Sequence, residues 1–200
     1  ANVIKETYGK GFEIFLTLKS LPNDELCTII NELGCNEEDK ITADNIPAIL
    51  QKLKSKLNPS LISKTNIGYN LADDLEKYRS VLIKNLIQWN YRISSLYNMI
   101  NELLNTFPTV YISEYWGNAF QLKIDKKEGI TIGYLFGFLD KSKNKHNITE
   151  YSITQTSMEQ IFNGFALQDE DENMSSVNQN HKPILEITKE FLKRNYVVSY

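Results

Sequence analysis

The stretch TVYISEYWGNAFQLKID at residues 109–125 decides the fold class of this chain. Val110 and Ile112 alternate with other side chains, and the same period of two recurs at 119–125. Such alternation is typical of strands that bury one face. Because the residues between them, Trp-Gly-Asn at 116–118, have turn chemistry, the stretch predicts a β-hairpin with a three-residue connection.

Two more segments show the period of a strand. The first is Gly11–Ser20, GFEIFLTLKS, and the second is Ile148–Thr156, ITEYSITQT, which places Tyr151 and Ile153 on one side. The first segment places four apolar side chains on one face: Phe12, Ile14, Leu16 and Leu18. With the hairpin, the sequence therefore predicts four strands.

Helical periodicity separates the strands. Residues 71–107 carry apolar side chains in ten steps of three or four over 36 residues, which predicts one continuous helix. Residues that cap or end helices predict three shorter helices. The first runs from Asn23 or Asp24 to Leu33, and the second from Thr42 or Asp44 to Leu57. The third begins at Thr131 and places four apolar side chains on one face: Ile132, Leu135, Phe136 and Leu139.

Without residues 21–90, the predicted order is strand, helix, strand, strand, helix, strand. This order is that of the ferredoxin-like βαββαβ fold, an antiparallel sheet with two helices on one face. The sequence thus predicts an α+β fold with a large helical insertion after the first strand. The predicted divisions are a ferredoxin-like domain at 1–20 and 91–167, the helical insertion at 21–90, a flexible acidic and polar linker at 168–182, and an amphipathic tail at 183–200.

Composition narrows the class of protein. The 200 residues include 22 basic and 25 acidic side chains, so the net charge of −3 argues against a protein that tracks nucleic-acid phosphates. No run of about 18 apolar residues is present to span a bilayer. Cys27 and Cys35 do not make a disulfide framework, and we expect two reduced thiols. The chain begins at Ala1 rather than Met, which predicts a fragment of a longer protein.

Residues for catalysis or metal binding are sparse. The two histidines, His146 and His181, lie in polar stretches that we expect to be mobile, and no cluster has the spacing of a metal site. The run Gly9–Lys10–Gly11 lacks the spacing of a phosphate loop and precedes a strand instead of a helix. The sequence therefore predicts no catalytic, cofactor-binding or metal-ligating residue in this chain.

The stretch EYSITQTSMEQIF at 150–162 resembles the C-terminal motif of the A subfamily of ATP-binding cassette (ABC) transporters. That family typically reads Tyr-Ser-x-Ser-Gln-Thr-Thr-Leu-Glu-x-Val-Phe just after its second nucleotide-binding domain. The positions of this chain that carry the C-terminal motif are Tyr151, Ser152, Gln155, Thr156, Glu159 and Phe162, with Met158 as a conservative departure.

A second segment, IKETYGKGFEIFLTL at 4–18, resembles the family's passage from the nucleotide-binding domain into its first regulatory strand. The residues that carry this N-terminal motif are Tyr8, Gly9, Gly11 and Phe12. Together with the hairpin and the helix after it, the two motifs extend the resemblance over about half of the chain.

The resemblance implies a non-catalytic cytosolic regulatory domain. Its partners would be the nucleotide-binding domains and the other regulatory domain of the same transporter, at the cytosolic face of a membrane. ATP and Mg²⁺ would bind in the preceding nucleotide-binding domain, where hydrolysis drives lipid-type transport, and no cofactor would bind in this chain. The residues of the C-terminal motif are candidates for contacts between domains. Packing within the domain is the simplest explanation of Tyr151, Met158 and Phe162, and helix capping accounts for Gln155, Thr156 and Glu159 about as well as binding does.

Two other functions fit the sequence. A ferredoxin-like domain can act as a small-molecule sensor, in which case we expect a concave apolar pocket with a few convergent polar groups. Alternatively, the apolar stripe of 71–107 is a helical docking module for another protein.

Overall fold

A computed structural model describes residues 11–155 and 184–196 of the chain. Within these ranges the architecture is α+β, with a five-stranded antiparallel sheet and a separate two-stranded ribbon. The strands of the described ranges are β1 (Gly11–Leu18), β2 (Lys40–Ile41), β3 (Val81–Leu82), β4 (Val110–Trp116), β5 (Ala119–Asp125), β6 (Ile148–Gln155) and β7 (Leu185–Ile187).

Six α-helices lie in the described ranges, and two of them begin as the sequence predicts. The first begins at Asn23, and Thr131 caps the fifth, where its Oγ1 accepts a hydrogen bond from the Tyr134 amide at 3.2 Å. The helices are α1 (Asn23–Glu32), α2 (Ile46–Lys52), α3 (Tyr69–Tyr78), α4 (Ile83–Leu103), α5 (Ile132–Ser142) and α6 (Lys189–Asn195), with 3₁₀ turns at Ala43–Asn45 and Pro59–Leu61.

The strands of the large sheet lie in the order β6-β1-β5-β4-β7. β1 is antiparallel to both of its neighbours, so that Ile14 lies opposite Leu122 on β5 and opposite Ile153 on β6. The four apolar β1 residues that alternate in the sequence are each 3% exposed or less. The prediction of this buried face is therefore confirmed, and the face forms part of the core.

The predicted hairpin is confirmed, but its connection is one residue shorter than expected. Trp116 and Ala119 pair with each other, so only Gly117 and Asn118 form the turn. Gly117 has a φ of +59°, a left-handed conformation that glycine adopts without a steric penalty. A glycine at the first central position is typical of two-residue hairpin turns.

The continuous helix predicted for residues 71–107 is wrong. Arg79 adopts a left-handed conformation with a φ of 60° and ends α3, and Val81 and Leu82 then form β3, which pairs with β2. Apolar side chains still recur every three to four residues across this break, because α3 and α4 both bury apolar side chains in the same core. No glycine or proline between 71 and 107 marks the break in the sequence.

The second predicted helix is shorter than expected. α2 ends at Lys52 rather than at Leu57, and Lys54 has a left-handed φ of 52°. Leu57 forms a β-bridge with Tyr196, which lies far away in the sequence. A pairing of this kind is not visible in the local pattern from which the helix was predicted.

One hydrophobic core joins the sheet and the helices of the described ranges. Leu26, Ile49 and Leu71, which all come from residues 21–90, belong to the same cluster of buried side chains as the strands of the large sheet. α4 packs against both β1 and α1, and it runs through the predicted domain boundary between residues 90 and 91. The helices before that boundary therefore share their core with the sheet.

The described part of the predicted C-terminal tail packs onto this core. β7 pairs with β4 at the edge of the sheet, where Ile187 lies opposite Val110. α6 packs against α4, and the Tyr196 hydroxyl donates a hydrogen bond to Oδ1 of Asn98 at 2.8 Å. The predicted linker at 168–182 lies outside the described residues.

Replacing Ile187 by alanine tests whether β7 belongs to the core. Ile187 is fully buried, whereas Ile184 is 61% exposed. We expect Ile187→Ala to lower the free energy of unfolding by about 2–5 kcal/mol, because it removes buried methyl and methylene groups and leaves a cavity. The control Ile184→Ala should change it by less than about 0.5 kcal/mol. Urea denaturation measures both, and equal effects would contradict this packing.

Candidate functional site

The structure brings the described parts of the two sequence motifs together on adjacent strands. Gly11 and Phe12 of the N-terminal motif begin β1, and Tyr151, Ser152 and Gln155 of the C-terminal motif lie on β6. In the antiparallel register Phe12 lies opposite Gln155, so the two motifs meet at one end of the β1–β6 pair. The other motif residues lie outside the described ranges: Tyr8, Gly9, Thr156, Met158, Glu159 and Phe162.

Tyr151 connects β6 to α5. Its hydroxyl donates a hydrogen bond to Oδ1 of Asp140 at 2.5 Å, and its ring centroid lies 6.0 Å from that of Phe136. The hydrogen bond to the Asp140 carboxylate raises the pKa of Tyr151, and burial raises it further. Tyr151 therefore stays protonated near neutral pH and keeps the hydrogen bond that ties α5 to the sheet.

Ser152 lies on the other face of the sheet, opposite Phe15 on β1. This face carries two exposed aromatic rings, since Phe15 is 36% exposed and Trp116 is 49% exposed. Together with Glu150 and Ser152, these rings line a shallow groove of about 250 Å³. Exposed aromatic side chains on a flat face are typical of protein interfaces.

The apolar side of α5 is only partly covered. The sequence places Ile132, Leu135, Phe136 and Leu139 on one helical face, and the structure buries Leu135 and Leu139 fully. Ile132 and Phe136 remain 37% and 41% exposed. We call Ile132, Phe136 and the neighbouring Tyr151 the α5–β6 patch.

A deeper cleft lies beside the C-terminal end of β1, and we call it the α3–α4 cleft. It has a volume of about 400 Å³ and lies between the β4–β5 turn, α3 and the first half of α4. Gly68 shapes the chain before α3, because a Cβ there would lie 2.7 Å from backbone atoms of Leu61 and Ile62. The apolar side chains that line the cleft are Ile67, Leu71, Trp89, Ile93, Tyr115 and Phe120.

Two opposite charges line the α3–α4 cleft without pairing. Arg92 comes from α4 and Asp74 from α3, and within the described ranges neither side chain makes an ion pair or a hydrogen bond. Burial lowers the pKa of the Arg92 guanidinium, which still remains charged at neutral pH. The Nε of Arg92 and the Nε1 of Trp89 are both buried, and neither finds an acceptor among the described residues.

Other polar groups of the cleft have partners within the fold. The Gln88 side chain exchanges two hydrogen bonds with the backbone of Leu21, at 2.9 Å and 2.8 Å. The Tyr115 hydroxyl donates to the carbonyl of Asn66 at 3.2 Å, and burial, with a smaller effect of Tyr69, raises the pKa of Tyr115 to about 12. These groups hold the walls of the cleft together.

Sequence reasoning missed the α3–α4 cleft. One continuous helix would place Asp74 and Arg92 roughly 27 Å apart along its axis. The break after α3 instead folds the two helices so that both residues line the same cleft. The sequence signal that could have indicated the cleft is Arg92, a charged residue directly before Ile93 of the apolar stripe.

His146 is buried, and the expectation that it lies in a mobile stretch is wrong. It is 2% exposed, and its Nε2 lies 3.1 Å from Oε2 of Glu102, which also forms an ion pair with Lys145. The cluster ties the residues after α5 to the end of α4, while His181 lies outside the described ranges.

The described residues contain no group of three His, Cys, Asp or Glu side chains that could hold a metal ion. Cys27 and Cys35 are unpaired, and the Cys27 thiol donates to Oε1 of Glu37 at 3.0 Å. Across 11–155 and 184–196, no helix has both the length and the apolar character that crossing a membrane requires.

No protein-family model, curated protein or solved structure matches this chain.

The Glu102 cluster predicts an acid-sensitive contribution to stability. Burial alone would raise the pKa of Glu102, but the hydrogen bond from Lys145 and the close approach of His146 lower it below its ordinary value of 4.5. The folded carboxyl then binds fewer protons than the unfolded one, so it stabilises the fold above its unfolded pKa and less as the pH falls through its folded pKa.

Glu102→Gln should therefore lose less stability than the parent chain as the pH falls from neutral through and below the ordinary pKa of a glutamate, as measured by urea denaturation. Glu150→Gln is the control, because Glu150 is exposed and makes no ion pair among the described residues. A pH dependence that Glu102→Gln leaves unchanged would contradict the role of this cluster.

Proposed function

We propose that this chain is a non-catalytic cytosolic regulatory domain that follows a nucleotide-binding domain in an A-subfamily ABC transporter. The observation that carries the proposal is the meeting of the two motifs, with Phe12 opposite Gln155 on adjacent strands. These residues are far apart in the sequence, so their pairing is a property of the fold. Motif residues that are gathered at one place can act together in a contact with another domain.

The strand order supports a ferredoxin-like fold for this domain. With β1, β4, β5 and β6 as the four strands of a βαββαβ unit, their spatial order is β6-β1-β5-β4, and α4 and α5 are the crossover helices. This arrangement agrees with a split βαβ sheet. On this proposal β7 is an added edge strand, and most of residues 21–90 form a helical insertion between β1 and α4.

The domain docks on its partners through the α5–β6 patch. Ile132 and Phe136 are partly exposed, and Tyr151 of the C-terminal motif lies against Phe136. Aromatic anchors that are supported by packed neighbours carry much of the binding energy in protein interfaces. The partners are the nucleotide-binding domains and the other regulatory domain of the same transporter.

Docking regulates the transporter by a population shift. A domain that binds one arrangement of the nucleotide-binding domains better than another stabilises that arrangement by the difference in binding free energy. A coupling of about 1–3 kcal/mol changes the affinity of a linked site by roughly 5–150-fold. ATP and Mg²⁺ bind in the nucleotide-binding domain, and the whole membrane protein carries out lipid-type transport.

A docking role for the 71–107 stripe has less support. Leu86, Leu96 and Ile100 from this stripe are fully buried within the chain, so they cannot face a partner without unfolding. The remaining alternative, a sensor for a small molecule, is favoured by the α3–α4 cleft, which has the apolar walls and the few polar groups expected of a binding pocket.

Replacing Phe136 by serine tests the docking surface. Because Phe136 is 41% exposed, the variant should fold and melt nearly as the parent chain does. We expect the domain to bind the nucleotide-binding domains of its parent protein about fivefold or more weakly, because an aromatic anchor is lost. The ATPase rate of the full transporter should change with it. Tyr78→Ser is the matched control, since Tyr78 is a 59% exposed aromatic outside the patch.

Three results would contradict the proposal. Unchanged binding and ATPase rate in Phe136→Ser would exclude the α5–β6 patch as the docking surface. ATP hydrolysis by the purified chain above a mock preparation would exclude a non-catalytic domain. A gene that encodes no Walker and signature motifs before this region would exclude the transporter family.

A further inference from the structure

We infer that the α3–α4 cleft binds a small zwitterion with an apolar body, of which an apolar α-amino acid is the simplest example. The carboxylate of the ligand binds Arg92, its ammonium group binds Asp74, and its apolar part packs against Trp89 and Phe120. This site lies apart from the α5–β6 patch and does not depend on the proposed role in a transporter.

The size and lining of the cleft suit a ligand of this kind. A volume of about 400 Å³ falls within the range of roughly 300–1,000 Å³ for small-molecule sites. Trp89 and Phe120 are 5% and 2% exposed, so the fold holds both rings in place before a ligand arrives. Such a wall binds an apolar side chain with little loss of conformational entropy.

The charges of the cleft select a zwitterion over a simple ion. Arg92 and Asp74 both line the cleft, yet they do not come within the 4.0 Å of an ion pair. A simple anion at Arg92 would be repelled by Asp74, and a simple cation at Asp74 would be repelled by Arg92. A ligand that carries both charges a few ångströms apart is attracted at both ends.

The donors on α4 point to a carboxylate as the anionic group. Trp89 and Arg92 are three residues apart on the helix, so they lie on the same face. Each has a buried N–H without an acceptor among the described residues, and a ligand oxygen that accepts from it would remove the cost of leaving such a donor unsatisfied. The planar guanidinium can bind both oxygens of a carboxylate in a bidentate pair.

Isothermal titration calorimetry on the intact 200-residue chain tests the inference. The probe is L-phenylalanine, and two analogues each remove one charge: N-acetyl-L-phenylalanine lacks the ammonium group, and L-phenylalanine amide lacks the carboxylate. We expect L-phenylalanine to bind with 1:1 stoichiometry and both analogues to bind about tenfold or more weakly, because each leaves one charge of the cleft unpaired.

Matched variants assign the binding to the cleft. Arg92→Met and Asp74→Asn should each weaken L-phenylalanine about tenfold or more. Their controls are Arg194→Met and Asp73→Asn, which change exposed residues outside the cleft and should leave the affinity unchanged. If Arg92→Met does not fold by circular dichroism, Arg92→Lys replaces it, since it keeps the charge but loses the bidentate geometry.

Two results would overturn the inference. The first is the absence of a binding signal for L-phenylalanine and L-leucine at millimolar concentration with the folded chain. The second is binding that the charge-deleted analogues reproduce, or that the Arg92 and Asp74 variants retain. Neither result would bear on the α5–β6 patch, which is tested by the binding of Phe136→Ser to the nucleotide-binding domains.

Discussion

The antiparallel pairing of β1 with both β5 and β6 is the constraint on which the rest of the structure depends. The apolar face of β1 is buried, and a slip of one residue in register would turn this face away from the core. The same register sets Phe12 opposite Gln155 at one end of the strand and Thr17 opposite Ala119 at the other. Because eight residues of strand span roughly 26 Å, β1 fixes both the meeting of the motifs and the position of the cleft.

The two proposed sites lie on either side of one residue of β1. Leu16 lies opposite Tyr151 of the α5–β6 patch on β6, and it lies opposite Phe120 of the α3–α4 cleft on β5. Leu16 is itself buried, so Tyr151 of the patch and Phe120 of the cleft belong to one continuous packed layer. A ligand that shifts Phe120 would therefore act on the patch through two adjacent strand pairings. Docking and ligand binding are separate proposals, but the fold gives them a direct physical connection.

The sequence predicts four of the five strands of the large sheet, because each of those four is long enough to show alternation with a period of two. It does not predict β7, a three-residue strand within the stretch that was expected to be an amphipathic tail. It also predicts that Phe12 and Tyr151 lie on strands, because the alternation that indicates a strand is local, and both residues do lie on strands. It does not predict the break at Arg79, where a left-handed residue ends α3 without a glycine to mark it. Arg92 and Asp74 lie on opposite sides of that break, so the cleft could not be predicted either. His146 was misjudged because its polar neighbours conceal a buried contact with Glu102.

Disulfide formation between Phe15→Cys and Ser152→Cys tests the register of β1 against β6 most directly. The two residues are direct partners, and the Cβ atoms of such partners lie about 4.5–5.5 Å apart, close to the reach of a disulfide. With Cys27 and Cys35 replaced by serine, the pairing of β1 with β6 predicts that the cysteines introduced at positions 15 and 152 cross-link rapidly under mild oxidation. It predicts much slower cross-linking of Phe15→Cys with Thr154→Cys, which lies on the same face but two residues along β6. Equal rates, or a preference for position 154, would contradict the register that brings the two motifs together.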